Sequence, residues 1–94
     1  MQDKGMEKYT KTISKTESKY RYWQIHKVER NFFPEKFKPF KIRFREKMYD
    51  VKVNNRDCIM TGLFHYDYIF QEGDTITIIK NNKGIFELTL NDET

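Results

Sequence analysis

The chain contains little of what covalent cross-links or bound metals require. Its 94 residues include one cysteine, two prolines and four glycines. The single cysteine, Cys58, excludes a disulfide within the chain, and its neighbours Asp57 and Ile59 give it no metal-ligand spacing. No run of about 18 apolar residues and no apolar leader is present, which excludes a spanning helix and a secretion signal. We therefore expect one soluble, cytoplasmic domain with no cofactor, no metal, no membrane and no small-molecule substrate.

What the chain has in abundance is aromatic residues and charge. It carries eight Phe, six Tyr and one Trp, so a few large side chains can fill the core of a domain in which 34% of the residues are charged. The charge is divided unevenly along the chain. Residues 1–56 are net +9, whereas residues 57–94 are net −5. Such a division indicates that one part of the molecule meets a polyanion, without yet deciding which kind.

Alternating apolar and polar residues predict a mainly β fold. The predicted strands are 9–13, 20–28, 40–44, 49–53, 75–80 and 85–90. Polar turns at 45–47, 71–74 and 81–84 separate them, and residues 63–67 are expected to form a helical turn. Six to seven strands with one or two short helical turns make a small barrel or sandwich. We assign residues 1–8 to a polar tail, 9–90 to the domain and 91–94 to a C-terminal tail or linker.

The order of four motifs resembles a known family. Residues 9–17 (YTKTISKTE) provide an opening strand and arm, Phe33-Pro34 follows the second strand, residues 49–63 provide a strand, polar loop and strand, and residues 72–78 enter a strand through Gly73-Asp74. In this order they resemble the plant B-three DNA-binding domain and its bacterial counterpart, the DNA-recognition domain of type II restriction endonucleases. The resemblance spans residues 9–90.

The resemblance implies an open pseudobarrel that binds double-stranded DNA sequence-specifically through two loops in the major groove. It implies the following DNA-binding residues: Ser14, Lys15, Thr16, Glu17, Ser18, Lys19 and Arg21 in an N-terminal arm, and Asn54, Asn55, Arg56 and Asp57 in a second loop. In the bacterial branch, such a domain is the recognition module of an enzyme whose nuclease domain lies elsewhere on a longer chain, and its relatives bind short sites such as CC(A/T)GG.

The side chains of the two loops suit base recognition. Arg56 can pair with guanine, Asn54 or Asn55 with adenine, and Glu17 or Asp57 can accept from the amino group of cytosine. Other basic residues of the protein are expected to contact phosphates. These are Lys11, Lys36, Lys38, Lys41 and Arg43.

Three other interpretations stay open. Both loops could be ordinary solvated turns. The aromatics Tyr20, Tyr22, Trp23 and Phe32 could stack on single-stranded DNA or RNA, although packing in the core is the more common use of such residues. The basic surface could instead bind an acidic protein.

A nuclease reading is weaker. Glu35 with Asp50-Val51-Lys52, and Glu17-Ser18-Lys19, partly match a magnesium-binding signature. Such triplets arise by chance in a chain this rich in charge, so we expect a binding domain without catalysis of its own.

Overall fold

The computed structural model describes residues 8–91 and confirms a mainly β, open architecture. Its strands are β1 (Lys8–Thr12), β2 (Tyr22–Gln24), β3 (Phe40–Phe44), β4 (Lys47–Val51), β5 (Cys58–Met60), β6 (Thr75–Lys80) and β7 (Phe86–Leu90). Helix α1 spans Lys15–Tyr20, and two 3₁₀ segments span Lys27–Phe32 and Gly62–Phe64. Within residues 8–91 the strands form two sheets and no closed barrel.

The larger sheet has the order β1-β6-β7-β3-β4, in which only β3 and β7 pair in parallel. The smaller sheet is the antiparallel ribbon β2-β5, where Tyr22 lies opposite Met60 and Gln24 opposite Cys58. Because side chains alternate between the faces of a strand, each sheet turns one row inward and the other outward. On β3, for example, Ile42 is buried and Lys41 is exposed.

The inward rows of both sheets meet in one core that is dominated by aromatic rings. Trp23 packs between Phe64, at 5.6 Å between ring centroids, and Phe70, at 5.2 Å. Trp23, Ile25 and Phe32 are all buried, as expected of core residues. Burial of these large rings lets a few residues fill the core of so small a domain.

The predicted strand over residues 20–28 is wrong at both ends. Only Tyr22–Gln24 forms a strand, because the chain before it folds into α1 and the chain after it into a 3₁₀ segment. Helix α1 begins with a capping box: Ser14 Oγ accepts from the Glu17 amide at 3.1 Å, and Glu17 Oε1 accepts from the Ser14 amide at 3.0 Å. It ends at Arg21, whose φ of 59° stops the helix.

The boundaries of β1, β4 and β7 also differ from the prediction, by one or two residues. Strand β1 already includes Lys8, and the hairpin between β3 and β4 turns on two residues, Arg45 and Glu46, both at positive φ, so that β4 begins at Lys47. The rest of the predicted tails, residues 1–7 and 92–94, lies outside the described residues. Asn91 belongs to the fold, since its side chain accepts from the Thr75 amide at 2.8 Å.

The turn over residues 71–74 is confirmed, and Asp74 organises it. Its carboxylate accepts from the Tyr68 hydroxyl at 2.6 Å and from the Gln71 amide at 2.8 Å. Burial alone would raise the pKa of Asp74, but these bonds and one from Asn91 hold it below its ordinary value. Among residues 8–91, no helix has the length and apolar character needed to cross a membrane.

Candidate nucleic-acid interface

A groove runs along the outward face of the β2-β5 ribbon. Its first part, about 430 Å³, lies between the end of α1 and the loop of residues 54–57. Its lining residues are Tyr20, Tyr22, Gln24, Asn54, Arg56, Cys58 and Met60. A second part of about 360 Å³ shares Asn54 and Met60 with the first and continues towards Pro39, Lys52 and Leu63. We call these two parts together the groove.

The arm, residues 14–21, borders the groove at Tyr20, and we call it the first rim. Lys15, Thr16, Lys19 and Arg21 are exposed on it. Glu17 differs from its neighbours because it is only 5% exposed and its carboxylate turns inward.

Glu17 holds the arm to the domain. Its Oε2 accepts from Lys11 Nζ at 2.8 Å and from the Gln24 amide at 2.7 Å, in addition to the capping bond with Ser14. Burial alone would raise the pKa of Glu17, but hydrogen bonds from Lys11, Gln24 and Ser14 lower it below its ordinary value. The carboxylate is therefore ionised and fully used within the protein, so Glu17 positions the arm and has no oxygen left for a cytosine.

The second rim is the loop of residues 54–57, which Asn54 shapes. Asn54 Oδ1 accepts from the amides of Arg56 at 2.9 Å and Cys58 at 3.0 Å, an arrangement by which Asn closes a tight loop. Asp57 takes positive φ, 58°, and its amide donates to the Asn54 carbonyl at 3.0 Å. The side chains of Asn55 and Arg56 are left exposed at the tip.

Gln24 on β2 joins the two rims. Its amide donates to Glu17 of the arm at 2.7 Å, while its side-chain nitrogen donates to the carbonyls of Arg56 at 3.0 Å and Asp57 at 3.2 Å in the loop. Segments more than 30 residues apart in sequence are thus joined at one groove, by Gln24 together with the backbone pairing of β2 with β5.

The fold is similar to one solved before. The structure of a hypothetical Arabidopsis thaliana protein matches with a TM-score of 0.65 at 18% sequence identity, over 96% of this chain and 94% of that one. The likeness is one of fold, and it is consistent with the plant B-three-like fold that the motifs resemble. No protein-family model and no curated protein matches the chain.

Arg30, like Gln24, has a role at the groove that the sequence did not indicate. Its Nε donates to Asp57 Oδ1 at 3.0 Å, and its Nη1 donates to the carbonyls of Phe33 at 3.3 Å and Pro34 at 2.8 Å. Arg30 therefore fastens the loop to the segment that carries Phe33-Pro34. One oxygen of Asp57 is taken by this contact, which makes Asp57 chiefly a residue of the loop framework.

The predicted phosphate contacts separate into three groups. Lys36 and Lys38 flank the loop: Lys36 Nζ lies 3.8 Å from Asp57 Oδ1, and the segment is pinned by the Phe37 amide donating to the Val53 carbonyl. Lys11 is committed to Glu17, with its own side chain only 9% exposed.

Lys41 and Arg43 form the third group, on the outward face of β3 in the larger sheet. Lys41 pairs with Asp50 at 2.5 Å and Arg43 with Glu87 at 2.8 Å. The cavity beside Arg43 is lined by residues other than those of the groove. The structure thus brings the arm, the loop, Lys36 and Lys38 together, and leaves Lys11 and Arg43 out. Lys41 lies next to the groove only through its partner Asp50, which lines the second part.

The side chains also bear on the competing interpretations. Trp23 and Phe32 lie in the core, which leaves Tyr20, 60% exposed, and the half-buried Tyr22 as the aromatics that face the groove. Of the acids in the nuclease-like triplets, Glu17 is bonded to Lys11 and Asp50 to Lys41. Within residues 8–91 no cluster of three or more His, Cys, Asp or Glu could hold a metal ion.

Proposed function

We propose that this domain binds double-stranded DNA sequence-specifically, with the arm and the loop entering the major groove. The observation that carries the proposal is the placement of both segments at one groove by Gln24. Lys15, Lys19, Arg21 and Arg56 are exposed on the rims, and none of them forms an ion pair with another residue in the range 8–91. Basic side chains without an acidic partner, on both sides of a concave surface, suit a ligand with two negatively charged strands.

The positions of the side chains suggest which of them contact DNA bases and which contact phosphates. Arg56, at the tip of a loop whose backbone is fixed, is the residue proposed to pair with guanine, and Asn55 beside it with adenine. Lys15, Thr16, Ser18, Lys19 and Arg21 supply contacts from the arm, to bases or phosphates. Lys36 and Lys38 extend the positive rim beyond the loop and contact phosphates.

The finer proposal follows from the family resemblance. In it, the domain is the recognition module of a restriction endonuclease, it cleaves no DNA itself, and a nuclease domain on a longer chain does so. The signature acids Glu17 and Asp50 are each engaged with a lysine, which supports a binding role for this domain. The expected result is that the isolated domain binds a duplex in the presence of Mg²⁺ without cutting it.

The test is selection from random duplex DNA, followed by the substitution Arg56→Ala. We expect a shared motif to emerge, and Arg56→Ala to lose preference at a guanine by about 1 to 3 kcal/mol. Arg43→Ala is the matched control, because it removes the same side chain from the larger sheet, where Arg43 is paired with Glu87. It should leave the motif unchanged.

Two results would count against the proposal. If single strands of any sequence compete as well as the selected duplex, the groove binds by stacking on Tyr20 and Tyr22. If no duplex is retained at low salt, the basic rims serve an acidic protein instead.

A further inference from the structure

Several polar groups on the floor of the groove, those of Gln24, Cys58 and the side-chain oxygen of Asn54, are already hydrogen-bonded within the protein. The side-chain nitrogen of Gln24 donates to two carbonyls, and its Oε1 lies 3.4 Å from Cys58 Sγ in a bond donated by the thiol. Burial raises the pKa of the Cys58 thiol, so the proton for this bond is retained at neutral pH. Asn54 Oδ1 accepts two amides. The floor therefore has few hydrogen-bonding groups to offer a ligand.

What the floor does offer is apolar surface. Met60 is 50% exposed and lies opposite Tyr22 in the β2-β5 ribbon. Tyr20 lies at one end of the groove and Leu63, also exposed, at the other. Apolar side chains left in water between two positive rims indicate a ligand that is negatively charged at its edges and apolar at its centre.

Duplex DNA meets this description at one chemical group. Along the edges of the bases in the major groove, nearly every exposed atom is a hydrogen-bond donor or acceptor, and the apolar exception is the methyl group on C5 of thymine. A methylated cytosine carries a methyl group at the same ring position. A floor that exposes the apolar side chain of Met60 beside the ring of Tyr22 would contact such a methyl group and gain from covering it.

We infer that Met60 and Tyr22 contact the C5-methyl group of a pyrimidine in the bound DNA, so that the floor recognises a methyl group while the rims supply the hydrogen bonds. This inference rests on the proposed function, and it assigns to the β2-β5 ribbon a share of the specificity that the arm and loop alone would otherwise carry.

The experiment changes the DNA first and leaves the protein intact. In the selected duplex, each thymine is replaced in turn by deoxyuridine, which removes the methyl group and keeps the base pair, and each cytosine by 5-methylcytosine. At one or two positions we expect deoxyuridine to weaken binding about three- to fivefold, or 5-methylcytosine to strengthen it as much, as the burial of one methyl group predicts. The two replacements distinguish thymine from methylated cytosine as the source of the methyl group.

The second step assigns the methyl contact to the floor. Met60→Gln keeps the length of the side chain and removes its apolar end, so the discrimination at that position should fall below 1.5-fold. Met48→Gln is the matched control, because Met48 is exposed to a similar extent, 48%, on β4 of the larger sheet opposite Arg43. It should leave the discrimination at three- to fivefold. Thermal unfolding of both variants checks that they remain folded.

The outcomes are separable from those of the proposed function. A duplex motif that is bound equally well with and without every methyl group would overturn this inference and leave DNA binding intact. Methyl discrimination that survives at full size in Met60→Gln would also overturn it, because Met60 would then make no contact with the methyl group. Failure to select any duplex motif would refute the proposed function, and the inference with it.

Discussion

At the scale of single residues, the arm depends on the buried carboxylate of Glu17. We predict that Glu17→Gln lowers the free energy of unfolding by about 2 to 4 kcal/mol, because Lys11 would keep its charge and lose its partner in a largely buried position. Urea unfolding at pH 7 measures the change. Glu72→Gln, which removes a carboxylate from an exposed turn, is the control and should have an effect below about 0.5 kcal/mol.

The same variant tests how Glu17 makes the stability of the protein depend on pH. The pKa of Glu17 is lower in the folded protein than in the unfolded chain, so the unfolded chain binds more protons when the solution is acidified. The stabilisation is complete above the unfolded pKa of about 4.3 and is lost as the pH falls through the folded pKa. Urea midpoints between pH 6 and pH 3 should therefore fall less steeply in Glu17→Gln than in the wild type, and equal slopes would contradict the assignment.

Residue types predicted the rims of the groove but not what holds them. Arg56 and Asn55 are exposed at a loop tip, where a polar segment between two strands was expected to place them. Gln24 and Arg30 gave no such signal, because their partners are backbone carbonyls and carboxylates distant along the chain. The sequence places Gln24 on the outward face of a strand. Which groups its side chain contacts depends on the register between β2 and β5, which the sequence does not show.

At the scale of elements, the loop of residues 54–57 combines a fixed backbone with exposed side chains, and Asn54 allows the two properties to be tested separately. Asn54→Asp keeps an oxygen acceptor for the amides of Arg56 and Cys58, so stability should change by less than about 0.5 kcal/mol, whereas the new negative charge in the groove should weaken DNA binding. Asn54→Ala removes the acceptor and should cost about 1 to 3 kcal/mol of stability. Urea unfolding and duplex affinity are measured for both variants.

The comparison between these two variants is the control for each. Loss of stability in Asn54→Asp equal to that in Asn54→Ala would mean that the side-chain oxygen does not shape the loop. Unchanged duplex affinity in a folded Asn54→Asp would remove the groove from the binding surface.

Strands were predicted more reliably than helices, for a physical reason. The alternation of buried and exposed residues on β3, β6 and β7 is regular because each strand has one face on the core. Helix α1 has six residues, too few for a helical period to show or for the helix to be stable alone. Its capping box, Ser14 and Glu17 three residues apart, is visible in the sequence and would have indicated a helix start in the segment predicted as a loop-like arm.

At the scale of the whole molecule, the two outward surfaces differ in how their charges are paired. On the larger sheet, Arg43 pairs with Glu87 and Lys41 with Asp50, so the positive charges of these two side chains are largely neutralised. The exposed basic residues that form no ion pair within residues 8–91 and lie on the rims, Lys15, Lys19, Arg21 and Arg56, therefore provide positive charge at the groove. A net charge of +4 for the whole chain understates the charge that a ligand in the groove meets.

This arrangement predicts a steep dependence of duplex binding on salt. We expect four to six basic side chains on the rims, Lys36 and Lys38 among them, to neutralise phosphates. The logarithm of the association constant should then fall with the logarithm of salt concentration with a slope of about −4 to −5. Replacing Lys15 and Lys19 with Gln together should make the slope shallower by about 2, because two counterions fewer are released. Replacing Arg43 and Lys47 with Gln removes the same charge from positions on the larger sheet that are paired with Glu87 and Asp67, and should leave the slope within about 0.5 of the wild-type value. Fluorescence anisotropy from 50 to 300 mM salt gives all three slopes. If both pairs of substitutions change the slope equally, the phosphates are attracted by net charge alone, and the groove does not define where the DNA lies.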